Sequence, residues 1–102
     1  MRAGDWMTER ELRIVQECLD AAVHGPFFED WEFQTLTGCT REEIAAIADA
    51  WPGEVDEEAV QSVLGNLTGY PHGRPLAWRR LISATPEEVG RLDDAWRAVG
   101  DT

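Results

Sequence analysis

The chain has 102 residues, a length that suits one domain. Hydrophobic residues make up 43% of it and include five tryptophans, enough apolar mass for a packed core, which excludes a disordered chain. Twenty acids face nine arginines and no lysine, for a formal net charge of −11; such a field repels nucleic acid and anionic membranes and steers basic partners inward.

The first residues, "MRAGDWMTEREL", contain no apolar signal-peptide segment, and no run of about 18 apolar residues occurs anywhere. The expectation is a cytoplasmic protein with short flexible ends, starting at Met1 or at Met7, behind which Thr8 is a natural helix cap. From Thr8 to about Val23 the spacing predicts a helix opened by a capping box between Thr8 and Glu11. Its apolar face is Leu12, Val15, Cys18, Leu19, Ala22 and Val23. His24-Gly25 supplies the end and Pro26 blocks continuation. A short helix follows, with Asp30 as its cap and Phe33 and Leu36 facing inward. Thr40 then caps a helix carrying Glu42 and Glu43 in its first turn, where carboxylates favour the positive end of the macrodipole. Ile44, Ile47, Ala48 and Trp51 form its apolar stripe.

The second half repeats the plan. A helix from Asp56 to about Thr68 presents Val60, Val63, Leu64 and Leu67, and Gly69-Tyr70 with Pro71 ends it. Pro75 suits the first turn of a short helix whose inward residues are Trp78 and Leu81. Thr85 caps the last helix, with Glu87 and Glu88 in the first turn and Val89, Leu92, Trp96 and Val99 along one stripe.

Moving the chain by 45 positions lays residues 9–52 on 54–97 without a gap. Val15-Gln16 falls on Val60-Gln61, Leu19 on Leu64, Pro26 on Pro71, Leu36 on Leu81 and Thr40 on Thr85. Glu42-Glu43 then meets Glu87-Glu88, and Asp49-Ala50-Trp51 meets Asp94-Ala95-Trp96. Two amphipathic helices could share apolar positions by chance, but not one register over the whole unit. The sequence therefore predicts an all-α single domain, residues 1–102, of about six helices in two tandem 45-residue repeats, about 9–53 and 54–98. Neither unit can bury an adequate core alone, so the two should share one about a pseudo-twofold axis, with Trp51 and Trp96 equally buried.

Chemical motifs are sparse. Cys18 and Cys39 match no zinc spacing, and they align with Val63 and Ala84, so they read as free thiols acting as small hydrophobes. No metal and no cofactor is expected. "EFQTLTGCTREEI" suggests a helix-turn-helix, but Glu42-Glu43 at the start of the second helix would be repelled by phosphates. The loop "GPFFEDWEF" lacks the alternating oxygen ligands and closing glutamate of a calcium-binding EF-hand. The carboxylate pairs lie at helix starts, no nucleophile comes with a base, and His24 and His72 are not equivalent. The chain does not read as an enzyme.

The loops are where the halves disagree. "PFFEDWE" is aromatic and acidic, whereas "PHGRPLA" is basic and has a second proline. Residues 9–53 carry 10 acids and 3 arginines, net −7, and residues 54–98 carry 8 and 5, net −3. Drift would account for this, since loops vary readily. Specialisation for a basic protein partner is the functional reading, with Phe27, Phe28, Glu29, Asp30, Trp31 and Glu32 as the contact segment. Phe27 and Phe28 align with His72 and Gly73, which predicts exposed anchors; Trp31 aligns with Leu76, which predicts a packing role.

"GPFFEDWEFQTLTG" and "NLTGYPHGRPLAW" resemble segments of small acidic actinobacterial proteins to which no activity is attached. The closing stretch is similar to colicin immunity proteins, small acidic helical inhibitors of toxin nucleases, at Tyr70-Pro71, Pro86-Glu87 and Trp96-Arg97. The tyrosine pair of that family is absent, since Gly69 precedes Tyr70. The resemblance implies an immunity-like or inhibitory protein-binding module. A small enzyme or ligand-binding domain with a pocket between the repeats, and a DNA mimic, are the alternatives.

Overall fold

A computed structural model describes residues 2–69 and 74–100, and among these every regular element is an α-helix. In chain order they are α1 (Ala3–Trp6), α2 (Glu9–His24), α3 (Asp30–Thr37), α4 (Arg41–Ala50), α5 (Glu57–Gly69), α6 (Pro75–Leu81) and α7 (Pro86–Gly100). Tyr70-Pro71, His72 and Gly73 lie outside the described residues, as do Met1, Asp101 and Thr102.

The caps explain where the helices begin. Thr8 Oγ1 accepts from the Glu11 amide at 3.1 Å while the Thr8 amide donates to the Glu11 carboxylate at 2.8 Å. Thr40 and Glu43 make the same exchange at 3.1 and 2.9 Å. These reciprocal bonds satisfy amides that a helix start otherwise leaves open. At α7 only half of the box forms. The Glu88 amide donates to Thr85 Oγ1 at 3.1 Å, but the Glu88 carboxylate accepts from Arg10 on α2 at 3.2 Å. Asp56 Oδ1 accepts from the Glu58 and Ala59 amides and opens α5.

Three expectations need correction. Asp30 is the first residue of α3 rather than its cap; Glu29 holds the cap position, and its amide donates to the Glu32 carboxylate at 3.2 Å. The residues before Thr8 are not a loose end. They form α1, whose Ala3 is buried and donates its amide to Glu57 at 2.9 Å, and Met7 is buried behind it. Among the described residues the helices therefore number seven, where about six were expected. Leu81, expected to face inward, is partly exposed at the edge of α6.

Packing follows the apolar stripes. α2 lies against α4, α5 and α6, and α5 lies against α7 and α3. Val15, Cys18, Leu19 and Ala22 of α2 meet Val60, Val63, Leu64 and Leu67 of α5 in one core cluster, closed by Ile44, Val89 and Leu92. Trp51 and Trp96 are both buried, with ring centroids 5.8 Å apart. Each indole N–H is satisfied at the start of a long helix: Trp51 donates to the Leu12 carbonyl at 2.9 Å and Trp96 to the Glu57 carboxylate at 3.2 Å. α4 stops at Ala50 because Pro52 follows Trp51, whereas Arg97 lets α7 run on to Gly100. No helix among the described residues is long and apolar enough to cross a membrane.

Candidate functional site

The segment between α2 and α3 reverses the expected exposure of its aromatics. Phe27 and Phe28 are each only 4% exposed, while Trp31 is 75% exposed. Phe27 meets Trp78 edge-on at 5.9 Å, and Phe28 meets Phe33 at 5.7 Å, both favourable ring geometries. They are buried because the chain doubles back tightly at Gly25. A Cβ there would lie 2.5 Å from the Ala21 carbonyl oxygen and 3.0 Å from Leu81 Cδ1, so only glycine permits the approach. Trp31 is exposed because Phe33, two residues on, fixes the inward face of α3, and two residues turn a helix by about 200°.

Of the acids, Glu29 and Asp30 are exposed and Glu32 is buried. Trp31 Nε1 donates to Glu29 at 2.8 Å, which fixes the indole against an acidic neighbour. Asp30 pairs with Arg41 at 2.9 Å. The structure thus brings Glu29, Asp30 and Trp31 together at the surface and withdraws Phe27, Phe28 and Glu32 into the interior.

Sequence reasoning overlooked Arg41. From the first turn of α4 its guanidinium reaches across to α3 and to the end of α2. Nη1 donates to the Ala22 and Val23 carbonyls at 3.1 and 2.7 Å, and Nη2 to the Phe28 carbonyl at 3.0 Å. The guanidinium also stands 4.5 Å from the Phe33 ring centre. Carbonyls at a helix C-terminus lack intrahelical donors, and a cation there is favoured by the macrodipole. One side chain therefore ties α2, the loop, α3 and α4.

Arg41 forms part of the wall of a surface cleft of about 420 Å³ with Asp30, Phe33, Gln34, Thr40 and Glu42. A cleft of about 450 Å³ opens between α6 and α7, lined by Pro75, Trp78, Arg79, Thr85, Pro86 and Glu87, with Ile82 and Ala84 deeper along it. Each of those first six positions is 45 beyond its counterpart in the first cleft. Among the described residues, a groove of about 240 Å³ flanked by Arg10 and Glu88 lies between α2 and α7, below the roughly 300 Å³ at which small-molecule sites begin.

Burial, with Glu17 nearby, pushes the Cys18 thiol far up, and burial with Glu43 and Asp56 nearby raises Cys39. Neither favours a thiolate, and the two are not bonded to each other. Among the described residues no group of three or more His, Cys, Asp or Glu stands close enough to hold a metal ion. Comparison with protein-family models, with curated proteins and with solved structures finds no match.

Proposed function

We propose that the protein is an acidic protein-interaction module of the cytoplasm, an immunity-like or inhibitory partner that captures a basic protein at Trp31. The carrying observation is a tryptophan three-quarters exposed at the start of α3, pinned by Glu29 and flanked by Asp30, on a chain of net charge −11. An exposed rigid aromatic inside an acidic rim suits a basic surface: the charges steer encounter and the indole supplies the buried anchor. Two unbonded thiols accord with a reducing compartment.

The module is built, in this reading, by tandem duplication about a pseudo-twofold axis. Helix ends support it. Under the 45-residue shift, α3 and α6 begin at 30 and 75, α4 and α7 at 41 and 86, and α2 and α5 end at 24 and 69. Side chains beside a twofold axis touch their own counterparts, as Trp51 and Trp96 do. The cross-contacts fall close to matching places: Ser62 on α5 donates to the Thr37 carbonyl at 3.2 Å, and Glu17, its counterpart on α2, accepts at 2.7 Å from Ser83, one residue beyond Thr37's counterpart Ile82. Matching positions then report what the fold requires, and the Glu29–Trp31 corner is where the first unit departs from the second.

The test is affinity capture from native lysate with wild type and Trp31→Ser side by side. Wild type should hold a basic protein at low salt and release it at high salt. Trp31→Ser should melt within about 0.5 kcal/mol of wild type, as surface substitutions do, and lose that protein. Capture of the same protein by the variant would refute the assignment.

A further inference from the structure

Charge is divided unevenly along the chain. Residues 59–86 hold three arginines and no acid, a net +3 inside a chain of net −11. These arginines, Arg74, Arg79 and Arg80, lie on α6 and the residue before it, and all three are exposed. Arg2, Arg10, Arg41 and Arg97 are each paired with an acid. Arg74, Arg79 and Arg80 have no ion pair or hydrogen bond among the described residues. Beside them Leu76 is exposed, and the α6–α7 cleft opens with Pro75, Ile82, Ala84 and Pro86 on its walls and Arg79 among its lining. Trp78 is buried against Phe27, so the apolar surface on offer is mostly aliphatic and prolyl.

We propose that this basic, apolar surface of α6 and its cleft receives the Trp31 corner of a second copy of the chain. The inference rests on the reading of Trp31 as a contact anchor, and names what covers that anchor when no other partner holds it. The two surfaces are complementary in charge and in polarity. One presents an exposed indole beside Glu29 and Asp30; the other presents aliphatic walls beside three unpaired guanidinium groups. Burying Trp31 strands no donor, because Nε1 already donates to Glu29 at 2.8 Å, and that carboxylate keeps acceptor sites for an incoming guanidinium. Asp30 is already paired with Arg41, so Glu29 carries most of the new pairing. Two terms oppose the contact: Glu87 also lines the cleft, and each copy carries −11. Exposed charges farther apart than about 8 Å are largely screened at physiological salt, whereas partly buried pairs are screened much less. The local match therefore outweighs the net repulsion, and the association is weak. Knob and hole lie on different helices, so a variant that lacks one keeps the other.

Sedimentation equilibrium of the whole chain at about 0.15 M salt reads the association directly. Wild type should pass from monomer towards dimer with a Kd on the order of 1 mM, as contacts smaller than a stable interface give. Arg79→Gln/Arg80→Gln removes two charges without placing an acid at the C-terminal end of α6, where the macrodipole would oppose it. That double variant and Trp31→Ser should each melt like wild type, as surface substitutions do, and should each weaken association about tenfold. Mixed one to one, the two variants should associate more tightly than either alone, since each supplies the surface that the other lacks. The double variant keeps Trp31 and should still capture a basic protein, so failure of self-association and failure of that capture are told apart. Wild type that stays monomeric throughout would overturn the proposal and leave the basic stretch to a different anionic partner. Association unchanged in Arg79→Gln/Arg80→Gln, or a mixture no tighter than its components, would overturn it too.

Discussion

Replacing Arg41 with alanine removes one side chain from five partners at once, and the structure sets the size of the loss. Three hydrogen bonds run from a charged donor to the Ala22, Val23 and Phe28 carbonyls. Such bonds are worth about 1.5–3 kcal/mol each when well buried. The side chain is one-quarter exposed, so water will re-satisfy part of what is lost. The stack on Phe33 adds about 0.5–1 kcal/mol. The ion pair adds little, because Asp30 is almost fully solvated. Taken as non-additive neighbours, these come to about 3 kcal/mol. For a domain of this size that lowers Tm by about 12–20 °C. Arg41→Lys should recover only a minority of the loss, since an ammonium cannot fork between three carbonyls. Arg2→Ala is the control: its pair with Glu54 is exposed on both sides, and removing it should cost less than about 0.5 kcal/mol. Thermal melts by circular dichroism decide the matter. Arg41→Ala melting within a few degrees of Arg2→Ala would show that the guanidinium ties nothing together.

Four further outcomes follow from the packing and the charges. Trp51→Ala and Trp96→Ala should each cost about 3–5 kcal/mol in urea unfolding; a mild effect at either would contradict their shared burial. The hydrogen bond from Arg10 holds the Glu88 carboxyl below its ordinary 4.5. Its folded pKa is depressed, so its contribution to stability is present above 4.5 and is lost as pH falls through the folded value. Arg10→Ala should move the Glu88 titration, followed by carboxyl NMR, upward, and an unmoved titration would refute the pairing. Burial raises Cys18 far above the ordinary thiol value of 9.0, so the folded thiol stays protonated where the unfolded one ionises. Its contribution is whole below about pH 9 and declines as pH rises beyond it. Cys18→Ala should therefore flatten the alkaline fall of the urea midpoint, and an unchanged alkaline limb would count against this. Wild type should melt alike with and without reductant.

Much of the fold was legible because it is written in local signals. The Thr8, Thr40 and Thr85 caps, the prolines and the 3.6-residue stripes each place a helix boundary without reference to the rest of the chain. α1 was not legible: four residues carry too little periodicity to announce a helix, and what holds it is the distant Glu57. The site was half legible. Aligning the two halves drew attention to the loop before α3, but aligned apolarity misjudged its aromatics. Leu76, the counterpart of Trp31, is itself 75% exposed, so the match reported equal exposure rather than equal burial. The inward position of Phe33 held the better signal, since it turns Trp31 outward. Arg41 had a signal too. A cation in the first turn of a helix opposes the macrodipole, and its presence among glutamates pointed to partners outside its own helix.

The most direct measurement on the central claim is the salt dependence of affinity between this protein and the basic partner proposed for it, for wild type and Glu29→Gln, with Trp31→Ser as the null. If an acidic corner around Trp31 receives a basic surface, Kd for wild type should weaken steadily between about 50 and 500 mM salt, since exposed charges are screened within a Debye length of about 10 Å at 0.1 M. Glu29→Gln should bind more weakly at low salt with a shallower slope, the two curves should converge at high salt, and Trp31→Ser should not bind. Affinity indifferent to salt, or Glu29→Gln and Trp31→Ser tracking wild type throughout, would place the interface elsewhere on the molecule.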